Sequence, residues 1–275
     1  MATPLAARHQ PSRWQLYVLA ILVTLFIVVP IYVIAVAAFT PRSVLNGFPK
    51  PLLPVAISTD TMQAFLASRG VGQSLINSVI VGVLTLLLSL LMGAPAGYAL
   101  ARFAFRGRDS FQVLILMTRA FPIAILAVPL TVTFINWNLY DTIWAVALVH
   151  TALALPTTVL ITASVFVAVP IDLEEAALTL GCTPVGAFTR VAMPLALPGL
   201  AAASIFTFVL SWNEVFASAI LTVQNRTLPA QVLTQLDNSP LPYKFAGGFA
   251  LIVPSLVFIF FIRRYLFNMW GRVVR

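Results

Sequence analysis

Six apolar stretches divide the chain, and each is long enough to cross a bilayer as a helix. A hydrocarbon core about 30 Å thick needs roughly 20 apolar residues in α-helical conformation. The stretches are apolar on every side, whereas the strands of a membrane barrel alternate apolar and polar residues. Backbone groups find no partner in lipid, so helices are the expected solution. We predict an all-α integral membrane fold, one domain over 1–275, with six transmembrane helices at 15–39, 75–100, 111–135, 142–167, 199–221 and 246–266.

The composition also indicates a membrane-embedded chain. Hydrophobic residues make up 60% of the sequence and charged residues 9%, with a mean hydropathy of +0.99. A typical soluble protein has about 45–50% apolar and about 25% charged residues. The net charge of +8 comes from basic residues that stand singly or in small groups beside apolar stretches. Membrane loops carry positive charge in this way, which argues against nucleic-acid binding.

Lysine and arginine are distributed unevenly between the two sets of loops. Ten lie on the side that carries both termini, and five lie on the other side, although its loops are longer. Cytoplasmic loops carry the excess of basic residues, so we expect both termini in the cytoplasm. The ten are Arg8, Arg13, Arg102, Arg106, Arg108, Arg190, Arg263, Arg264, Arg272 and Arg275, and the five are Arg42, Lys50, Arg69, Arg226 and Lys244.

The connection between spans four and five, residues 168–199, predicts a pair of short helices. Asp172 followed by Glu175 has the spacing of a carboxylate capping box. Gly181 suits the left-handed residue that ends a helix. Thr183-Pro184 is a second start signal, an N-cap followed by proline at the first helical position.

Pro194 and Pro198 are expected to end the second helix before span five begins. The resulting hairpin, which the charge count places in the cytoplasm, suits docking into a groove of a partner protein. A hairpin lying among lipid headgroups fits the amphipathic pattern equally well. Physical reasoning alone leaves both interpretations open.

The same segment resembles the EAA loop of bacterial ABC-importer permeases. That pattern reads E-A-A, three residues, G, nine residues, then I-x-L-P. Here Glu175-Ala176-Ala177 is followed by Gly181 and by Val191-Ala192-Met193-Pro194, with two mild departures, Val for Ile and Met for Leu. In that family the loop forms a coupling helix that sits in a cleft of the cytoplasmic ATPase subunit. The resemblance implies ATPase-coupling roles for Glu174, Glu175, Ala176, Ala177, Gly181, Thr183 and Pro184.

Further stretches resemble carbohydrate-type permeases, in particular the second permease of maltose-type sugar importers. They are Asn77-Ser78, Gly97 to Phe103 with Arg106-Gly107-Arg108, Phe121-Pro122 and Trp212-Asn213-Glu214. The resemblance implies a multi-pass subunit of the bacterial inner membrane that passes a sugar or sugar-like solute into the cytoplasm. It implies no enzymatic activity and no cofactor in this chain. The implied partners are a second homologous permease, two ATP-binding cassette subunits that bind ATP and Mg²⁺, a periplasmic or lipid-anchored solute-binding protein, and membrane lipid.

Polar residues inside the predicted spans are the candidates for a solute path. Arg119 in span three and Glu214 in span five are costly in lipid and are expected to face the bundle interior. At 1.5 Å per residue their depths differ by about 10 Å, so we predict no direct ion pair. Helix–helix contacts explain both residues as well as a solute path does. The other candidates, which combine an aromatic face with amides suited to sugar hydroxyls, are Trp212, Asn213, Asn136 and Asn138.

Two other functional classes have less support. An ion-coupled secondary carrier needs buried acids along its path, and only Glu214 has that character. A membrane enzyme needs a nucleophile or a metal cluster, but the sequence has one cysteine, Cys182, and two distant histidines, His9 and His150. It has no Gly-rich phosphate loop with Lys and Ser or Thr, so ATP hydrolysis is expected in a partner.

Overall fold

The computed structural model describes residues 13–45, 47–48, 53–54, 56–236 and 239–270. Regular structure within these residues is helical throughout, which confirms the all-α prediction. Arg8, His9, Lys50, Arg272 and Arg275 of the sequence analysis lie outside the described residues. The helices are α1 (Arg13–Ala38), α2 (Arg42–Leu45), α3 (Asp60–Leu66), α4 (Val71–Arg102), α5 (Arg108–Met117), α6 (Ile123–Asn136), α7 (Ile143–Val167), α8 (Ile171–Thr179), α9 (Pro184–Ala187), α10 (Met193–Asn213), α11 (Phe216–Leu221), α12 (Leu228–Leu236) and α13 (Leu241–Trp270).

In this part of the chain, five helices are long and apolar enough to cross a membrane. α1, α4, α7 and α13 coincide, within a turn or so, with the predicted spans 15–39, 75–100, 142–167 and 246–266. The fifth is the continuous helix Pro184–Asn213. A multi-pass membrane protein is therefore confirmed.

The predicted third span, 111–135, is wrong as a single straight helix. α5 and a 3₁₀ turn form one arm, Arg108–Ala120, which meets α6 at an angle of 83°. The break falls at Phe121-Pro122, where both residues have extended backbone. Proline disfavours helical conformation in the residue before it, so Pro122 ends one arm and starts the next. The bent pair of helices is either one broken span or a re-entrant loop that does not cross the membrane. The total is then six spans or five, so the prediction of six stays a prediction.

The predicted fifth span, 199–221, is wrong at both ends. Helical structure begins at Pro184 and ends at Asn213, because Glu214 has extended backbone. α11 is then a separate short helix. A hydrophobicity pattern does not reveal this break, since apolar stretches lie on both sides of Asn213-Glu214.

Pro194 and Pro198 do not end the second helix of the 168–199 connection, so that prediction is also wrong. A π-helical turn, Phe188–Ala192, precedes α10, and the N–H of Met193 bonds to the carbonyl of Phe188. Pro194 follows directly after this turn as the second residue of α10, and the helix continues through it. Pro198 lies inside α10, as proline often does in membrane helices.

The described chain forms two compact units, while the single permease domain over 1–275 stays a prediction. One unit contains described residues of Met1–Phe65 with Pro240–Phe249, and the other contains Leu66–Ser239 and the residues from Ala250 onward. In the first unit the rings of Phe39 and Phe249 meet edge-on at 5.1 Å. The side chains of α1 are mostly exposed and apolar, as lipid contact requires.

The core of the second unit is the close approach of α4, α7 and α10. Thr162 Oγ1 on α7 donates to the carbonyl oxygen of Gly93 on α4 at 2.8 Å. A Cβ atom on Gly97 would lie only 2.7 Å from the backbone nitrogen of Ala163. On α10, Gly199 packs equally closely against a valine of α7. Lipid provides no hydrophobic drive between helices, so small residues and interhelical hydrogen bonds hold this core together.

We expect Gly97→Ala to destabilise the chain, because the new methyl group cannot enter the α4–α7 contact without moving backbone. Overpacking of this kind costs about 1–3 kcal/mol. The midpoint of thermal unfolding in detergent should fall accordingly. Gly72→Ala is the control, since it lies on the same helix with open space around it, and it should leave the midpoint unchanged or slightly raised. Equal midpoints for both variants would contradict this account of the core.

Candidate functional site

The first helix of the 168–199 connection, α8, begins differently from the prediction. The capping box of Asp172 and Glu175 is wrong, because Pro170 occupies the N-cap position and no side chain caps the helix there. Asp172 lies instead in the first turn, where a carboxylate interacts favourably with the helix dipole.

Gly181 follows the end of α8 in the left-handed conformation that the sequence predicts, with φ +86°. Its N–H bonds to the carbonyl oxygen of Leu178 at 3.0 Å, and the N–H of Cys182 bonds to the carbonyl oxygen of Ala177 at 3.0 Å. These two bonds form a Schellman motif and satisfy carbonyls at the helix end. Glycine is favoured here because other residues adopt this conformation at a cost.

The start signal for the second helix is also confirmed. Thr183 Oγ1 accepts a hydrogen bond from the N–H of Gly186 at 3.1 Å, and Pro184 is the first residue of α9. The chain therefore reverses between α8 and α9 through a short turn. We call residues 168–199 the hairpin.

Most of the predicted coupling residues lie on the surface of the hairpin. Ala177 is half-buried, and those exposed are Glu175, Ala176, Gly181, Thr183 and Pro184. Two large apolar residues flank the turn and are exposed: Leu180 is 88% exposed and Val185 is 71% exposed. This apolar tip was not predicted, although a leucine and a valine stand on either side of the predicted turn in the sequence.

Glu174 differs from the other predicted coupling residues because its side chain is buried, with 4% exposed. Its Oε1 accepts a hydrogen bond from Arg102 Nε at 2.9 Å, and its Oε2 accepts one from the hydroxyl of Tyr98 at 2.6 Å. Arg102 Nη2 also donates to the carbonyl oxygen of Val169 at 2.9 Å. We call Tyr98, Arg102, Val169 and Glu174 the Glu174 cluster. It ties α8 to the end of α4.

A cavity of about 1000 Å³ opens beside the break between α5 and α6. Its walls come from that break, from the middle of α7 and from the end of α10. Three of the predicted path residues line it: Arg119, Asn213 and Glu214. The structure thus brings together residues from two predicted spans that are almost a hundred positions apart in sequence.

The other three path candidates lie elsewhere. Trp212 is buried, and its Nε1–H donates to the carbonyl oxygen of Leu251 at 2.9 Å. Asn136 and Asn138 are exposed at the end of α6, and Asn138 has φ +56°, which asparagine tolerates in turns. None of the three is among the residues that line the cavity.

The two charged residues of the cavity have separate partners, in agreement with the expectation of no direct ion pair. Arg119 Nη1 donates to Thr157 Oγ1 on α7 at 2.7 Å. The carboxylate of Glu214 accepts hydrogen bonds from the N–H groups of Phe216 and Ala217, each at 2.9 Å. Glu214 therefore caps α11, which explains why an acidic residue stands where the fifth long helix ends.

His150 completes the surroundings of Glu214. Its Nε2 lies 3.1 Å from Glu214 Oε2, and its Nδ1 lies 2.9 Å from Ser211 Oγ. The imidazole is fully buried, so both ring nitrogens have partners in the helix bundle. The sequence marked Glu214 as unusual for a span, but it gave no sign that Glu214 pairs with His150.

The family model described as "binding-protein-dependent transport system inner membrane component" matches residues 89–269. The trehalose transport system permease protein SugB of Mycobacterium tuberculosis is 30% identical over 78% of this chain and 80% of its own length. The arabinooligosaccharides transport system permease protein AraQ of Halalkalibacterium halodurans is 31% identical over 92% of both chains.

Among solved structures, the fold is similar to a chain of a bacterial ABC transporter involved in the import of the acidic polysaccharide alginate. The TM-score is 0.72 at 22% identity, and the match covers 96% of this chain and 99% of that one. At this identity the likeness concerns the fold alone.

The chain is a helical bundle with an exposed hairpin turn and a cavity, and it is similar to transport permeases over most of its length. These features define a membrane permease subunit. The chain belongs to the family of inner-membrane components of binding-protein-dependent transport systems. It is thus a multi-pass inner-membrane protein and the translocation subunit of an ABC importer, rather than an enzyme. In such a transporter partner ATPases handle ATP, and the family works with a solute-binding protein.

We expect Glu214→Ala to destabilise the second unit, because it removes the acceptor of two backbone N–H groups and one partner of the buried His150. Leaving such groups unpaired costs about 1–3 kcal/mol. The loss of stability is measured as a lower midpoint of thermal unfolding in detergent. Glu214→Gln keeps one carbonyl oxygen as an acceptor and should lower the midpoint by less.

Asn213→Ala is the matched control for the Glu214 variants. It also removes a polar group from the cavity, but Asn213 Nδ2 only donates to the carbonyl oxygen of Val209 in its own helix. It should change stability by less than about 0.5 kcal/mol. If the Glu214→Ala and Asn213→Ala proteins unfolded at the same temperature, the capping role of Glu214 would be wrong.

Proposed function

We propose that this chain is the permease subunit of an importer for a sugar or sugar-like solute, and that its hairpin couples it to the ATPase partner. The apolar tip formed by Leu180 and Val185 supports coupling most directly, because it stands uncovered at the turn of the segment that resembles the EAA loop. A carbohydrate cargo is supported by the relatives, whose names assign them trehalose and arabinooligosaccharides.

The coupling surface comprises the tip together with the exposed residues of the E-A-A motif. Small side chains at Ala176 and Ala177 permit close approach of a partner's backbone. The exposed carboxylate of Glu175 is suited to a basic residue on the partner. The bends at Gly181 and at Thr183-Pro184 hold the tip in its projecting shape.

The cavity serves as this subunit's part of the solute path. Three exposed rings line it, those of Phe121, Phe206 and Phe216. Rings provide stacking faces, while Arg119 and Asn213 provide donors and an acceptor for hydroxyl groups. Trp212 instead stabilises the packing of the helices, and Asn136 and Asn138 are not part of the cavity wall.

The complete transporter contains a second homologous permease, two ABC subunits that hold ATP and Mg²⁺, and a periplasmic or lipid-anchored solute-binding protein. This chain has six spans in one domain and no cofactor of its own, and both of its termini are cytoplasmic. ATP binding closes the ATPase pair, which moves the hairpin and opens the bundles outward, and hydrolysis resets the inward state.

The proposed function is tested by solute uptake in proteoliposomes that contain the two permeases, the ATPase subunits and the binding protein. Uptake of a labelled disaccharide should require ATP on the ATPase side and binding protein on the other. It should persist when proton and sodium gradients are collapsed. Uptake that needs an ion gradient and no ATP would instead indicate a secondary carrier.

Leu180→Asp should weaken binding of the ATPase subunits to the permease by more than about tenfold, as expected for a central apolar contact. Uptake in the proteoliposomes should fall with it. Leu180→Met is the matched control, because it keeps an apolar side chain of similar volume, and it should retain both association and uptake. Normal assembly and uptake by the Leu180→Asp transporter would exclude the tip as the coupling surface.

A further inference from the structure

α8 is attached to the rest of its unit through one buried side chain. Across its nine residues, all of which the structure describes, Glu174 alone is buried. The larger apolar residues of the helix face outward, with Leu173 46% exposed and Leu178 42% exposed. α8 also approaches the π-helical turn and α9, but Glu174 is its one buried side chain, so its movement bears directly on the partners of Glu174.

The contact of Glu174 is strongly directional. Both Nε and Nη2 of Arg102 donate to Oε1, and the hydroxyl of Tyr98 donates to Oε2. Arg102 Nη2 also reaches the carbonyl oxygen of Val169, just beyond the end of α7. Hydrogen bonds between a guanidinium and a carboxylate are short and fixed in geometry. The orientation of α8 is thus set by Arg102, the last residue of α4.

Aromatic packing holds the other end of the cluster. The ring of Tyr98 lies 5.3 Å from that of Phe166 on α7 and 4.6 Å from that of Phe188 in the π-helical turn. The two phenylalanine rings are 5.9 Å apart. Tyr98 therefore contacts α7 and the segment that leads into α10, while its hydroxyl reaches α8. The cluster joins the hairpin to all three helices of the core.

We propose that Tyr98, Arg102 and Glu174 are positioning residues that transmit the movement of the hairpin to α4. Glu174 acts inside this chain, and the ATPase partner is touched by the exposed residues around it. This inference rests on the proposed function, because it assumes that a partner moves the hairpin. The movement is assigned to the polar contact at the end of α4, since no other side chain of α8 is buried.

The alternative is that the cluster only stabilises the fold. A buried pair can often be replaced by packed apolar side chains without loss of stability, whereas removal of one partner leaves the other charge unpaired. The test variant is therefore Arg102→Met together with Glu174→Met. Tyr98→Phe is a second variant, which removes the hydroxyl and keeps the ring packing. Asp172→Asn is the control, because it removes an exposed negative charge from the same helix.

The measurement is the number of solute molecules taken up per ATP hydrolysed, in the full transporter reconstituted into proteoliposomes. The double variant should still bind the ATPase subunits, but the ratio should fall about fivefold or more, which is the lower end of typical coupling between sites. Tyr98→Phe should give a smaller fall in the ratio, and Asp172→Asn should give none.

The proposal is overturned if both test variants keep the wild-type ratio while only the amount or the melting temperature of the complex changes. If the double variant fails to assemble, the ratio for Tyr98→Phe decides, because that protein retains the ion pair. A wild-type transporter without ATP-dependent uptake would instead refute the proposed function, so the two failures are distinguishable.

Discussion

Close packing of α4 against α7 is the contact on which the arrangement of both candidate sites depends. Gly93 and Gly97 let the two backbones approach, and Thr162 bonds directly to a backbone carbonyl across the gap. Because lipid is as apolar as the side chains, contacts of this kind replace the hydrophobic effect as the source of specificity between helices. The same packing places the end of α4 beside the start of the hairpin, where Arg102 meets Glu174.

The two sites lie in one continuous body of helices. α7 contributes Thr157 and His150 to the surroundings of the cavity. Two residues beyond its end lies Val169, whose carbonyl oxygen accepts a hydrogen bond from Arg102. α10 follows the π-helical turn beside Tyr98 and ends at Asn213, next to Glu214 in the wall of the cavity. A displacement of the hairpin therefore has a direct structural route, along two helices, to the proposed solute path.

Sequence reasoning predicted the long helices well because a bilayer imposes one simple requirement, an uninterrupted apolar length of about 20 residues. It was wrong for the third and fifth spans, where the breaks use residues whose effect depends on context. A helix breaks at Phe121-Pro122, whereas the helix Pro184–Asn213 continues through Pro194, just after a π-helical turn, and through Pro198. Glu214 looked like an isolated charge, but its carboxylate caps a helix that hydrophobicity alone does not separate.

The hairpin shows the same division between local and long-range information. Gly181 and Thr183 act on neighbouring backbone groups, so their roles were predictable. Glu174 was grouped with the exposed coupling residues because its partner, Arg102, is 72 positions away, and no local pattern indicates that the two meet. The apolar tip at Leu180 was likewise overlooked, since exposure of a leucine depends on which face the fold covers.

The central claim is that the hairpin faces the cytoplasm and meets the ATPase there. Cys182, the single cysteine of the sequence, lies in its turn and is partly exposed. Labelling with a small membrane-impermeant thiol reagent should modify it in inside-out vesicles stripped of ATPase subunits. Intact cells should show no modification, and added ATPase subunits should protect the thiol in the vesicles. Modification of Cys182 from the outer face of intact cells would contradict the account.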